Sequence, residues 1–321
     1  MQTGRREVWL HIRFGTSMRE TKEINDKVSP YPLVSVVVPA LNSSERARMC
    51  MEALLSQTYP KDRYEVIVVD NGSTDDTPRV IQQYPVIFLK EHSIKSPYAA
   101  RNRGIMSGRG EIIAMTDVNC KPVPTWLEEG VKAMKMEDAD LVGGKVTFTF
   151  SPKITVAEYY DSVSNVKMKS SIEKRGAAKA GNLFVRKHVF QSIDLFPAHV
   201  RSGGDVLWTG RATRAGHKLT YSPHAEAFYP ARKLVPLLGK SYRVGKGQPL
   251  IWMDQGQSLL RIMRSITWGF RSPKVAFIRK ILMERGTKEM QKKVLSIWLV
   301  AWLCKIATNM GRISFVLRRV F

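Results

Sequence analysis

Only three of the 321 residues are cysteines, Cys50, Cys120 and Cys304, and they lie far apart without the short spacings of metal ligands. An odd, scattered set makes a poor disulfide framework, so a stapled extracellular scaffold is excluded and a reducing, cytoplasmic setting is expected. No uninterrupted apolar run approaches the roughly 20 residues needed to cross a bilayer. Residues 1–30 carry Arg5, Arg6, Arg13 and Arg19 among Glu7, Glu20, Glu23 and Asp26. They lack the apolar core of an export signal and read as an arm outside the main body. No motif repeats at a fixed period, which excludes a solenoid or propeller. G-x-G-x-x-G, G-x-x-x-x-G-K-[ST] and G-x-S-x-G are all missing, removing dinucleotide enzymes, P-loop phosphohydrolases and serine hydrolases as readings.

Acidic residues are also scarce, 28 against 51 Lys and Arg, for a formal charge of +23. Residues 231–321 hold 19 Lys and Arg but three Asp and Glu, and so carry +16 of that surplus. The chain before them is an ordinary, mildly basic globular sequence, and 44% hydrophobic residues suffice for a full core, which excludes disorder. Nothing in the basic region resembles a nucleic-acid-binding module, so no nucleic-acid partner is expected.

What is present from Leu33 onward is alternation. β-Branched runs at Val34–Val38, Val66–Val69, Val86–Leu89 and Ile112–Met115 alternate with helical windows at Ser44–Ser56, Asp75–Gln83 and Tyr98–Ser107. In the second window Ser73 is a candidate cap and Asp76 suits the positive helix start. Such alternation predicts an α/β fold with a mostly parallel sheet. Ligands of open α/β sheets bind beyond the carboxyl ends of the strands. Pro39–Asn42, Asp70–Ser73 and Asp117–Asn119 each follow a strand end, and so converge on one crevice.

Each cluster has two readings. Asp70, in the turn Asp70-Asn71-Gly72-Ser73, can accept N–H bonds from a planar base or merely cap the turn. Arg101 can pair with a diphosphate or lie on a solvated helix face. Asp117 and Asn119, two residues apart, would project to the same side of an extended segment and could hold a hard divalent cation against phosphate oxygens. Asp205 follows Ser202-Gly203-Gly204 and precedes a helix expected over Val206–Ala215 and closed by Gly216. It can be a helix cap or a general base on a flexible loop.

These clusters, in this order, resemble the family 2 glycosyltransferases. The matching stretches are VSVVVPALN, LLSQTYP, EVIVVDNGSTD, AARNRGI, GEIIAMTDVNCKPVPTWL, AGNLFVRK and SGGDVLWTGRATRAGHKLTYSP, spread over residues 33–229. The resemblance implies the GT-A nucleotide-sugar-binding fold over residues 31–230 and an inverting transfer to a hydroxyl. By it, Pro39, Ala40, Leu41, Asn42, Glu45, Asp70 and Ser73 line the nucleotide pocket and Arg101 approaches the diphosphate. Asp117, Val118 and Asn119 stand for the family's Asp-x-Asp, with Mg²⁺ or Mn²⁺ on Asp117 and Asn119. Asp205 is the base, with Gly203, Gly204 and Trp208 on the acceptor side. Asn119 departs from the usual second Asp, and Tyr229 stands where a histidine is often found. A nucleotide-sugar-binding protein with impaired catalysis is the alternative.

Residues 231–321 lack the Q-x-x-R-W motif and the array of spanning helices of a processive synthase. Val294–Cys304, between Lys293 and Lys305, would make a helix about 16 Å long, short of a hydrocarbon core of about 30 Å. Leu259, Ile262, Met263, Ile266 and Phe270 follow an amphipathic stripe with Arg261, Arg264 and Arg271 off it. With Trp252, Trp268, Trp298 and Trp302, these features predict attachment to the cytoplasmic face of an anionic membrane. The expected acceptor is a glycan or lipid-linked hydroxyl, bound by residues 143–179 and the C-terminal region.

Overall fold

The computed structural model describes residues 31–320, and the expected arm over residues 1–30 lies outside them. The first half is β1 (Val34–Ala40), α1 (Ser44–Leu55), β2 (Tyr64–Asp70), α2 (Thr77–Ile81), β3 (Ile87–Lys90), α3 (Pro97–Ser107) and β4 (Ile112–Thr116). There follow β5 (Lys121–Pro122), α4 (Trp126–Met136), β6 (Leu141–Thr149), α5 (Val156–Ser164), α6 (Met168–Arg175), β7 (Asn182–Arg186), α7 (Lys187–Ile193), α8 (Gly204–Arg214) and β8 (Leu219–Pro230). Five further helices complete the chain: α9 (Leu234–Asp254), α10 (Leu259–Gly269), α11 (Val275–Arg285), α12 (Lys288–Lys292) and α13 (Val294–Val320).

The strands form one sheet in the order β3-β2-β1-β4-β7-β6-β8-β5. β1, β2, β3 and β4 run parallel, β7 is antiparallel to both β4 and β6, and β6 pairs parallel with β8. All seven residues of β1 are buried, as an apolar run covered on both faces should be. Pro39 sits where β1 keeps only β2 as a partner, because the ladder to β4 stops at Val37–Met115. There a missing N–H costs least. One face of the sheet is filled by Met51, Leu54, Trp126, Leu127 and Phe184, the other by Ile105, Ile113, Leu183, Phe190 and Trp208.

Helix α2 starts two residues later than expected. Asp75, and not Ser73, accepts from the Thr77 N–H at 3.1 Å and the Thr77 hydroxyl at 2.5 Å, while Ser73 Oγ accepts from the Asn42 N–H. Helix α8 starts two residues earlier, at Gly204 behind Gly203 with φ 82°, so Asp205 lies within its first turn and is not its cap.

Beyond Pro230 the helices pack on one another and on the sheet domain. α9 and α13 meet backbone to backbone: a Cβ at Gly245 would fall 1.9 Å from the Thr308 carbonyl oxygen, and one at Gly311 would fall 2.1 Å from that of Tyr242. The Val294–Cys304 window extends into the 27-residue helix α13, about 40 Å long. Its interrupting polar residues face protein: Lys305 donates to the Arg271 carbonyl, Asn309 to that of Ile266, and Arg312 to Gln248 Oε1. The expected stripe on α10 divides. Ile262 is fully buried, whereas Met263 and Phe270 are about half exposed.

Candidate active site

The carboxyl ends of β1, β2 and β4 lie side by side, and the three expected clusters meet there. Asp70 ends β2 with its side chain almost wholly buried. It accepts N–H bonds from Gly72 at 3.2 Å and Ser73 at 3.2 Å, and contacts His92 Nε2 at 3.0 Å. Burial would raise its pKa, but the bonds from Ser73, His92 and Gly72 outweigh it and hold the carboxyl below the usual range. Asp70 thus keeps its charge while shaping its own turn. Asn42 (φ 45°) braces that turn from β1: its N–H donates to Ser73 Oγ at 3.0 Å, and its Oδ1 accepts from the Thr74 N–H at 2.8 Å. Leu41 and Glu45 are exposed at the rim, while Pro39 and Ala40 are buried strand residues that can reach a ligand only through backbone.

Asp117 and Asn119 are half-exposed on either side of buried Val118. They sit in a turn closed by the Cys120 N–H on the Asp117 carbonyl at 2.9 Å, and not in extended chain as expected. Buried Arg101 donates to Asp117 Oδ1. Among the described residues Asp117 Oδ2 carries no bond, and Gly181 keeps the space above it open, since a Cβ there would come within 3.2 Å of that oxygen. Carboxylate and amide oxygens such as those of Asp117 and Asn119 are of the kind a hard divalent cation takes.

Asp205 closes the other wall. Its Oδ1 accepts from the Tyr98 hydroxyl at 2.9 Å and the Val206 N–H at 3.0 Å, and its Oδ2 from the Ala180 N–H at 3.0 Å. Tyr98 stands one helical turn before Arg101 on α3, which lies over its ring at 5.6 Å. Asp117, Arg101, Tyr98 and Asp205 thus form one continuous chain of contacts. Burial, reinforced by the Asp205 charge, pushes the Tyr98 hydroxyl well up, so it stays a donor. Gly203 and Gly204 carry the loop, and a Cβ on Gly204 would strike the Tyr98 ring at 2.9 Å. Trp208 corrects the acceptor-side expectation: it is 1% exposed, donates to the Asp194 carbonyl and stacks on Phe190 at 4.6 Å. An aromatic on the inner face of α8 goes to the core.

Sequence reasoning gave Tyr98 no role beyond a helix start, and within the stretches expected to bind the acceptor it did not single out Lys179, Arg232 or Lys240. Arg232 pairs with buried Asp161 at 3.2 Å and lies over the Tyr229 ring at 4.7 Å, and Tyr229 neighbours Asn119. Asp140, His188 and His217 bring their ligand atoms within 4.8 Å of one another. They lie at the far end of the strands from the crevice, where β6 and β8 begin and β7 finishes. Their positions, distant in sequence, gave no signal.

An α/β sheet with polar turns at three strand ends, two of them acid-bearing, and a carboxylate linked to them through Tyr98 and Arg101 is the architecture of the GT-A glycosyltransferases. The sequence model for "Glycosyl transferase family 2" matches residues 35–188. Glycosyltransferase AglE from Haloferax volcanii is 43% identical over 298 residues, covering 90% of this chain and 98% of that one. Among solved structures, mannosyltransferase PcManGT from Pyrobaculum calidifontis, in complex with GDP-Man and Mn²⁺, superposes with a TM-score of 0.64 at 15% identity over 91% of this chain and 89% of its own. S. aureus TarS residues 1–349 with UDP-GlcNAc gives a TM-score of 0.53 at 15% identity, covering 89% and 92%. The chain belongs to glycosyltransferase family 2.

Proposed function

We propose that the protein is an inverting glycosyltransferase that moves a sugar from a nucleotide diphosphate sugar, a UDP-sugar, to a hydroxyl of a glycan or lipid-linked acceptor. The observation that carries this reading is the placement of Asp205. Its Oδ2 holds a single hydrogen bond and keeps lone-pair capacity for an incoming hydroxyl, while Tyr98 and Ala180 fix its orientation. In one displacement the acceptor oxygen bonds to the anomeric carbon, the bond to the diphosphate breaks, and the hydroxyl proton passes to Asp205. Mg²⁺ or Mn²⁺ held by Asp117 and Asn119 would neutralise the departing diphosphate. The base is expected beside Asp70, with Arg101 fixing Asp117 in place. The solved neighbours, bound to GDP-Man with Mn²⁺ or to UDP-GlcNAc, support a nucleotide-sugar donor and leave UDP to be tested against GDP.

The setting we infer is peripheral, on the cytoplasmic face of an anionic membrane. Leu260, Trp268, Phe277 and Met283 are all more than half exposed and are interleaved with Arg261, Arg264, Arg271, Lys274, Arg279 and Lys280. Apolar side chains among cations suit a headgroup boundary. Among the described residues one helix, over Val294–Leu317, is long and apolar enough to cross a bilayer, with a mean hydropathy of 1.4, but its polar residues already bond to α9, α10 and the segment after α10.

The test is donor hydrolysis and transfer across UDP-, GDP- and dTDP-sugars with Mg²⁺ or Mn²⁺, in wild type, Asp205→Asn and Asp117→Ala. Metal-dependent transfer lost in both variants is expected. Nucleotide-sugar binding without turnover for any donor would favour the second reading, a catalytically impaired binding protein, for which Asn119 and the Arg101–Asp117 pair speak. Sedimentation with phosphatidylglycerol vesicles should fall in Leu260→Glu/Phe277→Glu, and unchanged binding would remove the membrane setting.

A further inference from the structure

Two half-buried lysines within electrostatic reach of Arg232 have no assigned work. Lys179 immediately precedes Ala180, whose N–H holds Asp205. Lys240 lies on α9 two turns before Gly247. Residues seven apart share a helix face, and Gly247 lies against the Ser202 carbonyl, where a Cβ would come to 2.0 Å. Lys240 therefore lies on the face of α9 that meets the Asp205 loop, about 10 Å along the helix from that contact. Fully buried Leu237, one turn earlier, marks the same inward side. Arg232 enters from the end of β8, beside Tyr229 and Asp161.

The charges here do not balance. Asp117 is taken by Arg101 and Asp161 by Arg232, and Asp205 is the one further carboxylate acting on these lysines, while Lys179 and Lys240 are both half-buried and have neither a side-chain hydrogen bond nor an ion pair among the described residues. Burial, then the neighbouring Arg232, pushes Lys240 down to about 7, and burial lowers Lys179 despite the attraction of Asp205. Half-buried cations beside further cations are costly unless an anion joins them. The Asp117–Asn119 turn already serves the donor diphosphate in the proposed reaction, and these cations approach from the Asp205 and α9 side.

We propose that Lys179, Arg232 and Lys240 form an oxyanion subsite between Asp205 and α9, which holds a phosphate or carboxylate that a substrate carries in addition to the donor diphosphate. The subsite deepens the glycosyltransferase reading and rests on it for its role, though its ligand chemistry stands alone. Two sources share this chemistry, a phosphate on the acceptor and a carboxylate on the transferred sugar.

The test uses the full chain without metal and sulfate as the probe, followed by calorimetry and thermal unfolding. Wild type should bind sulfate and gain Tm, and Lys240→Gln and Lys179→Gln should each weaken that binding at least about tenfold, the loss of one charge-assisted contact. Lys240→Gln should also raise Tm in sulfate-free buffer by relieving repulsion, whereas a merely structural lysine would lower it. Sulfate binding unchanged in both variants overturns the subsite. Parallel loss of UDP or GDP binding in the presence of Mg²⁺ also overturns it, since the cations would then belong to the donor diphosphate. Competition by glucuronate but not glucose assigns the sugar, and competition by dodecyl phosphate but not dodecanol assigns the acceptor. Competition by neither overturns the proposal. A wild type that binds sulfate but no nucleotide would sink the glycosyltransferase reading and leave the subsite standing.

Discussion

Replacing Gly247 with alanine tests whether α9 positions the catalytic base. The added Cβ would stand 2.0 Å from the Ser202 carbonyl oxygen and 2.9 Å from its carbon. Ordinary C···O contacts lie at about 3.3 Å or more, so helix and loop must part by roughly 1.3 Å, and both partners are backbone that cannot rotate away. Such overpacking costs about 1–3 kcal/mol, offset by about 1 kcal/mol because alanine is the better helix former. The net loss of about 0–2 kcal/mol would lower Tm by a few degrees at most, so the fold should survive. Activity should not, because Asp205 begins three residues after Ser202. A displacement of about 1 Å at a reacting group can cost about 100-fold in rate. The expected result in steady-state transfer assays is a fall in kcat of that order, with nucleotide diphosphate affinity by calorimetry within about twofold of wild type. Gly239→Ala is the control: its Cβ would meet only Arg243 Nη1 at 3.7 Å, so it should leave kcat alone. Equal kcat in the two variants, or nucleotide binding lost with kcat in Gly247→Ala, would refute the idea that α9 sets the acceptor wall.

Asp205→Asn preserves shape but removes the base, so transfer should fall about 10²–10⁴-fold while calorimetry finds nucleotide binding unchanged. Gly130→Ala sets a Cβ 2.2 Å from the Phe184 ring, which is wedged against Trp126 at 4.8 Å. Urea unfolding should show a loss of about 1–3 kcal/mol. Sulfate affinity should fall as pH rises from below to above about 7, the range in which Lys240 loses its proton amid Arg232, Lys179, Asp161 and Asp117. A bound anion favours the charged lysine, so binding takes up protons there. A flat affinity across that range in wild type would contradict the assignment. In anion-free buffer this lysine's depressed pKa is a destabilisation fully present below about 7, relieved as pH climbs toward its unfolded value.

The meeting of the three clusters was legible because each is tied to a strand end. β1, β2 and β4 are apolar runs buried on both faces, their limits are marked by Asn42, Asp70 and Asp117, and a parallel sheet brings those limits together. Local geometry was less legible. Nothing in Asp117-Val118-Asn119 announces a turn over extended chain, and nothing in Ser73-Thr74-Asp75 says which oxygen will cap α2. The choice falls to tertiary partners, here Asn42 and Ser44 of the neighbouring segment. Trp208 was misjudged for the same reason, since its place beside Asp205 in sequence says nothing of which face of α8 it occupies.

Residues 143–179 and the C-terminal region were expected to bind the acceptor, but the proposed subsite was hidden at the level of single residues. Its cations come from the β8 end, the Ala180 approach and α9, three segments that no spacing links. Within α9 the sequence LLGKSYRVGKGQPL belongs to the basic region expected at a membrane, and composition cannot distinguish a lysine that meets lipid headgroups from one that meets substrate. What distinguishes them is phase. Gly245 and Gly247 admit the Thr308 and Ser202 backbones, and that close approach fixes the helix rotation and with it the inward position of Lys240. The glycines thus carry the information about the lysine, and under the proposal above a helix from the region expected at a membrane turns this lysine toward substrate.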